Sequence, residues 1–446
     1  MIRLILVAAL FLLTASHTSV TAPQYPDIGT AFPLHWKADM GQASYRNNIV
    51  LTNDHIVIGS NGKNFIDYSI YDKRSGVYFI DRKKGAVSRH FANDQFGDMD
   101  VAGILVHDKR CYFGNDNEDF LCTDLKGNII WRNQASGDIE HEPLLVKGRQ
   151  GDMIVYASET GEVRAVNPLT GNKIWNYYTP DFDGYKAGDN RMVFKVKAYM
   201  SSYSELMLKP LLVDLNQDGV SDLIYLTKSG NLFALNGQSG ALLWRFRPDG
   251  IHISSFISSP SYRDTRLVAV GYSFNSNDYG VTQYMISING KGEFLEQRKL
   301  FEGRSGQSIT QLTINDDTTL YNYADSIYFI KNGKIARSVF YQQPGEMGSE
   351  VAFYREAVFG RQVFSFEGHE RCVLLLNQNR FSSSNNSQVE IISLDDGELI
   401  RRLSLPAYSE MPPEVVDVNK DGKLDVLINC SDGYLYCYNL QIKASH

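Results

Sequence analysis

Two nine-residue stretches carry the densest chemistry in the chain: DLNQDGVSD from Asp214 to Asp222 and DVNKDGKLD from Asp417 to Asp425. In each, Asp, Asn and Asp stand at positions 1, 3 and 5, Gly follows at 6, and a further Asp stands at 9. Side-chain oxygens at this spacing, with a glycine for the sharp turn and a backbone carbonyl at position 7, can wrap a hard cation. The expected ligand sets are Asp214, Asn216, Asp218, the Val220 carbonyl and Asp222, then Asp417, Asn419, Asp421, the Lys423 carbonyl and Asp425. Three carboxylates so close together repel one another unless a cation neutralises them, and calcium suits an all-oxygen set. The plainer alternative is an Asx-rich turn. No Glu stands at position 12, so neither loop is an EF-hand.

Other chemistry is sparse. The chain has no G-x-S-x-G, no phosphate-binding Gly loop and no C-x-x-C. His141, between Glu140 and Glu142, is a possible proton-transfer group, although a single His beside a strand more often serves structure. No catalytic residue is assigned. Nothing nucleophilic is coupled to the acidic loops, so any metal there is expected to be structural.

The elements that must position these loops repeat. Lys209–Phe246 reads as four short β-rich runs separated by turn residues, and the first acidic loop joins its first two runs. Glu142–Tyr177 matches it run for run, with Lys147-Gly148-Arg149-Gln150 in place of the acidic loop, so no metal is expected there. Pro413–Leu440 restores the loop but stops after three runs, while Phe32–Asp39 resembles an isolated fourth. Self-similarity at a period of about 40 to 50 residues with four strands per unit predicts an all-β chain, a β-propeller. Eight four-stranded blades are expected, with seven as the alternative count, and the N-terminal strand should complete the last blade. One domain over 30–440 is predicted.

The ending of Gly161–Trp175, G-x-V-x-A-x-N-x-x-T-G-x-x-x-W, resembles the repeat of quinoprotein (PQQ-like) propellers. The acidic loops resemble the calcium loops of FG-GAP/VCBS repeats, as in integrin α-chain propellers. The second resemblance implies that calcium sits at the rim of one face. The first implies a quinone cofactor, but the adjacent-cysteine pair that quinoprotein dehydrogenases carry against it is missing here.

The formal net charge of −7 over 446 residues offers no basic stripe, which excludes nucleic acid as a partner class. Arg3 followed by the ten apolar residues Leu4–Leu13 reads as a secretory signal within residues 1–22, too short to span a bilayer. The expected location is therefore outside the cytoplasm, periplasmic or extracellular, without a transmembrane segment or a lipid anchor on an N-terminal Cys. Five cysteines leave at least one unpaired. Cys111 and Cys122 flank a turn at Asp116-Asn117 and are either a cross-strand disulfide or small buried hydrophobes. Cys430 and Cys437 are not expected to pair.

Insertions join second to third strands at Asn61–Gly76, Ser273–Gly280 and Arg380–Gln388, and Thr179–Leu208 joins two blades. All open on the face opposite the acidic loops, and insertions gathered on one face often bind. They carry Phe65, Tyr68, Tyr71, Phe182, Tyr185, Tyr279 and Phe381, which suit a sugar or a protein anchor, or pack their own loops. Residues leading into first strands add Glu140, Glu142, Glu205, Glu410 and Glu414 around the mouth on that face. The reading is a calcium-stabilised binding or scaffold propeller with a protein or carbohydrate ligand. The rival readings are a quinoprotein-like oxidoreductase, a polysaccharide-active enzyme and a cell-surface adhesion propeller.

Overall fold

The computed structural model describes residues 32–62, 73–92, 99–179, 206, 209–258, 267–274, 280–304, 310–315, 318–323, 326–331, 334–341, 356–378 and 387–443. Among them are eight antiparallel sheets of four strands each and no helix. The blades span 49–91, 104–134, 144–178, 211–246, 252–304, 310–340, 356–404 and 414–443. Blade eight has only three strands of its own, and Leu34–Asp39 pairs antiparallel with Tyr434–Lys443 as its fourth. The expected propeller, its eight blades and its mode of closure are therefore present.

Each blade is covered on both sides by its neighbours, which sets the residue pattern. The middle strands of blade four, Asp222–Leu226 and Leu232–Leu235, are buried at every position. Alternate residues go to opposite neighbours: Leu223, Tyr225 and Phe233 pack with Val155, Val163 and Trp175 of blade three. Ile224, Leu226, Leu232 and Ala234 pack with Ile253, Leu267 and Ile286 of blade five. The outer strand Leu242–Phe246 has only a half-covered face.

The four tryptophans of the chain lock blade to blade in one recurring way. Trp36, Trp131, Trp175 and Trp244 stand on outer strands just past a one-residue bulge. Their indole N–H groups donate to the carbonyls of Arg82, Pro168, Gly237 and Gly290, in the third-to-fourth-strand turn of the next blade. In each of those turns a glycine at positive φ lies against the ring. A Cβ on Gly85, Gly171, Gly240 or Gly292 would meet it at 2.5, 2.7, 2.5 or 2.6 Å. Arg337 takes the same register position in blade six, and its guanidinium donates to the Leu394 carbonyl at 2.7 Å.

The cysteines resolve against a disulfide. The loop after Gly114 runs to Asp119, so Cys111 faces Thr123 and Cys122 faces Tyr112, one residue out of step. That offset sends Cys111 into the core shared with blade one and Cys122 into the core shared with blade three. All five cysteines are buried and free. Cys437 pairs with Leu427, so Cys430 is not its cross-strand neighbour.

Candidate functional site

The two acidic loops fold identically, bond for bond. In blade four, the loop joins Leu211–Val213 to Asp222–Leu226. The Asp214 carboxylate accepts the N–H groups of Asp218 (3.0 Å) and Gly219 (2.9 Å), Asn216 accepts from Asp218 (3.0 Å), and Asp218 accepts from Val220 (2.8 Å). In blade eight, Asp417 accepts from Asp421 (3.1 Å) and Gly422 (2.9 Å), Asn419 from Asp421 (3.0 Å), and Asp421 from Lys423 (2.9 Å). The turn needs positive φ at position 4, taken by Gln217 and Lys420, and at position 6, where glycine removes the steric cost. These bonds tie the side-chain oxygens of positions 1, 3 and 5 to the loop's own N–H groups, and Asp218 also accepts from Asn216 Nδ2 (3.1 Å) and Asn236 Nδ2 (3.2 Å).

Position 9 behaves differently. Asp222 and Asp425 are fully buried. Asp222 accepts from the Leu215 N–H (2.9 Å), the Gly237 N–H (3.0 Å) and Asn236 Nδ2 (3.2 Å). Asp425 accepts from the Val418 N–H (3.0 Å) and Asn439 Nδ2 (3.1 Å). Burial pushes both carboxyls up, Asp425 to about 6, while the hydrogen bonds pull the other way. At Asp218 the Val220 N–H is the leading cause of a lowered value. The two partner asparagines each lie 14 residues beyond the aspartate, an offset readable in the sequence.

Neighbouring blades reach into both loops. Arg149, in the blade-three turn with no acidic residues, donates to the Asp218 carbonyl at 2.6 Å and lies 3.7 Å from its carboxylate. The buried Arg82 of blade one donates to the Asp417 carbonyl (2.9 Å), the Val418 carbonyl and the Thr52 carbonyl (2.7 Å). Neither arginine stands out in the sequence, because each contact crosses from one blade to the next.

On the opposite face the expected aromatic residues Phe65, Tyr68, Tyr71, Phe182, Tyr185, Tyr279 and Phe381 lie outside the described residues, as does Glu205. Three of the described acidic residues of the mouth are matched by cations, and Glu410 accepts from the Tyr408 hydroxyl at 3.4 Å. Glu140 pairs with Arg46, Glu142 with Lys209, and Glu414 with Arg361 at 3.2 Å. Arg361 also donates to the Asn47 carbonyl at 2.7 Å. These contacts bring together blades one, three, four, seven and eight. Burial, with Arg361 close by, lowers the Lys209 value; burial raises Glu414 against the pull of Arg361. A ring nitrogen of His141 bonds the Leu206 carbonyl, a structural contact. At Glu140, Glu142 and Glu414 the described mouth is thus ion-paired.

Two groups of His, Cys, Asp and Glu bring their ligand atoms within 4.8 Å of one another among the described residues: His35, Asp425 and Cys437, and the more exposed His369, Asp396 and Glu398. No helix among the described residues is long and apolar enough to cross a membrane.

Residues 97–199 match the family model described as outer membrane protein assembly factor BamB. No curated protein matches the chain by sequence. Among solved structures, the chain is similar to BamB from Moraxella catarrhalis, with 14% identity and a TM-score of 0.53 over 94% of this chain and 100% of that one. It is also similar to Saccharomyces cerevisiae Sqt1, with 10% identity and a TM-score of 0.57 over 92% and 99%. A third is the quinohemoprotein alcohol dehydrogenase of Comamonas testosteroni, with 9% identity and a TM-score of 0.55 over 93% and 77%. At such identities the likeness is one of fold. The chain is an eight-bladed β-propeller with a BamB-like, PQQ-type repeat in its second and third blades.

Proposed function

We propose that this chain is an exported, non-catalytic binding propeller that holds calcium in its two acidic loops and presents a protein ligand surface on the opposite face. The observation that carries the calcium reading is the bond-for-bond identity of the loops, which orients hard oxygen donors alike in two blades of otherwise different sequence. Asp214, Asn216, Asp218 and the Val220 carbonyl, and their counterparts Asp417, Asn419, Asp421 and the Lys423 carbonyl, would hold the ions, with Asp222 and Asp425 closing each set from inside. This is the part of the FG-GAP resemblance the chain supports. A protein partner, rather than a glycan, is favoured by the repeat match to a protein named as an assembly factor.

The test has two arms. Calorimetry on chelator-stripped protein should detect calcium uptake at about 10⁻⁴ to 10⁻³ M, the range of extracellular modules. At free calcium ten times the dissociation constant, each occupied loop should add about 1.4 kcal/mol of stability. A pull-down by the full chain, with and without chelator, should capture a protein partner. No calcium uptake at millimolar concentration reduces the loops to turns.

The quinoprotein-like oxidoreductase reading rests on the fold likeness to the alcohol dehydrogenase. Quinone absorbance copurifying with the protein, or alcohol-dependent dye reduction after quinone addition, would favour it over the binding reading.

A further inference from the structure

We propose that His35, Asp425 and Cys437 form a site for a zinc-class divalent cation that staples the N-terminal strand to the C-terminal blade. One ligand atom of each residue lies within 4.8 Å of the other two. The three come from different strands of blade eight: Leu34–Asp39, Lys423–Asn429 and Tyr434–Lys443. Asp425 and Cys437 are fully buried, while His35 is exposed, so the site opens to solvent on the imidazole side. An imidazole nitrogen, a thiolate and one carboxylate oxygen make a donor set for a borderline-soft ion. Three protein ligands leave a fourth position for water.

Blade four supplies the internal contrast. Its Asp222 is the counterpart of Asp425, equally buried, with Asn236 in the place of Asn439. Opposite the outer-strand tryptophan, however, blade four has Ala234 where blade eight has Cys437. At the bulge before that tryptophan it has Leu243 where blade eight has His35. The same bulge position is Ile130 in blade two, Ile174 in blade three and Leu295 in blade five. Blade eight therefore departs from blade four at two positions, and both departures place a nitrogen or sulfur ligand beside the same buried carboxylate; the cysteine alone recurs in blade two, as Cys122 opposite Trp131, whereas the bulge histidine does not. Asp425 has no Lys or Arg ion-pair partner among the described residues, and its hydrogen bonds come from neutral donors. A cation would supply the missing charge, and the Cys437 thiol would release its proton to solvent on binding.

The site shares Asp425 with the second acidic loop but does not rest on calcium binding, and the probe separates the two. Cobalt titrated into the chelator-stripped full chain should raise a near-ultraviolet thiolate-to-cobalt charge-transfer band that saturates at one equivalent. Zinc should bleach it, and calcium alone should not produce it. His35→Leu installs the residue blade four already carries at this exposed position, so the fold should hold while cobalt affinity falls by about tenfold or more. Cys437→Ser should abolish the band, and Cys430→Ser, elsewhere in the same blade, should keep it. Absence of the band in folded wild-type protein, its survival in Cys437→Ser, or unchanged affinity in His35→Leu overturns the assignment. If Cys437→Ser fails to fold, the His35→Leu titration decides alone.

Discussion

Arg149 donates its guanidinium to the Asp218 carbonyl at 2.6 Å, so a blade without an acidic loop reaches into the loop of the next. The sequence presents blade three as indifferent to metal at this turn, which carries no carboxylate. Its arginine is not indifferent, because it lies 3.7 Å from a proposed ligand. Arg149→Ala removes a positive charge from the rim of the blade-four loop. On an Asp421→Ala background, which leaves only that loop to bind, calcium affinity should rise by no more than about fivefold, the scale of an exposed pair. Weaker binding would mean that the hydrogen bond to the Asp218 carbonyl shapes the loop more than the charge opposes the ion.

The packing of Trp175 on Gly240 predicts an uneven response to glycine replacement. Gly240 has φ +70°, and a Cβ there would sit 2.5 Å from the indole ring. Gly250 has φ +68° with nothing within 4 Å. Gly250→Ala should cost only the left-handed backbone penalty, about 1 kcal/mol. Gly240→Ala should cost about 2 to 4 kcal/mol, because overpacking adds to that penalty. Equal melting temperatures for the two variants would show that the tryptophan seat contributes nothing to holding blade three on blade four.

The blades were legible because a turn glycine stands four residues before Trp131, Trp175 and Trp244 alike, and burial on both faces leaves no other solution for middle strands such as Asp222–Leu226. What escaped depended on register or on partners far away in sequence. Arg337 occupies the tryptophan position of blade six, but an arginine on an outer strand reads as solvated until its contact with Leu394 is seen. Cys111 and Cys122 looked opposed because the hairpin loop was read as a two-residue turn; one residue of difference moved the thiols to opposite faces. The acidic residues of the mouth were visible as a group, whereas their counter-ions Arg46, Lys209 and Arg361 sit on other blades. At the acidic loops the turn was legible, since its hydrogen-bonded members are local; Arg82 and Arg149 were not.

Glu414 gives the mouth a pH dependence. Burial raises its folded-state value, with Arg361 only partly opposing. A carboxyl that holds its proton more tightly when folded than when unfolded loses stability as it ionises. The loss begins as pH rises past the unfolded value of about 4 and is complete above the raised folded value. Glu414→Gln abolishes this titration. The variant should therefore gain on the wild type in melting temperature as pH climbs from about 4 to about 7. A constant difference across that range would mean the Arg361 contact fully offsets burial.

Ring closure rests on one strand. Leu34–Asp39 covers Tyr434–Lys443, and Trp36 carries the closure onto Gly85 of blade one. Deleting residues 32–39 strips the last blade of its outer ladder and leaves a long row of unpaired N–H and C=O groups, a template for pairing with another chain. It also empties the core that Trp36 and Ala38 share with Ile56, Ile58, Leu427 and Leu435. Trp36→Ala keeps the ladder and loses only the ring, so it should cost about 3 to 5 kcal/mol while the protein stays monomeric. The deletion should do more, producing aggregation or domain-swapped oligomers, and a synthetic peptide of residues 32–39 added in excess should restore the monomer. Arg82 cannot substitute, because it ties only the acidic loop of blade eight to blade one and leaves the edge open. Light scattering with thermal melts on both variants checks the difference. A deletion variant as monomeric and as stable as Trp36→Ala would mean that the indole, not the strand, closes the ring.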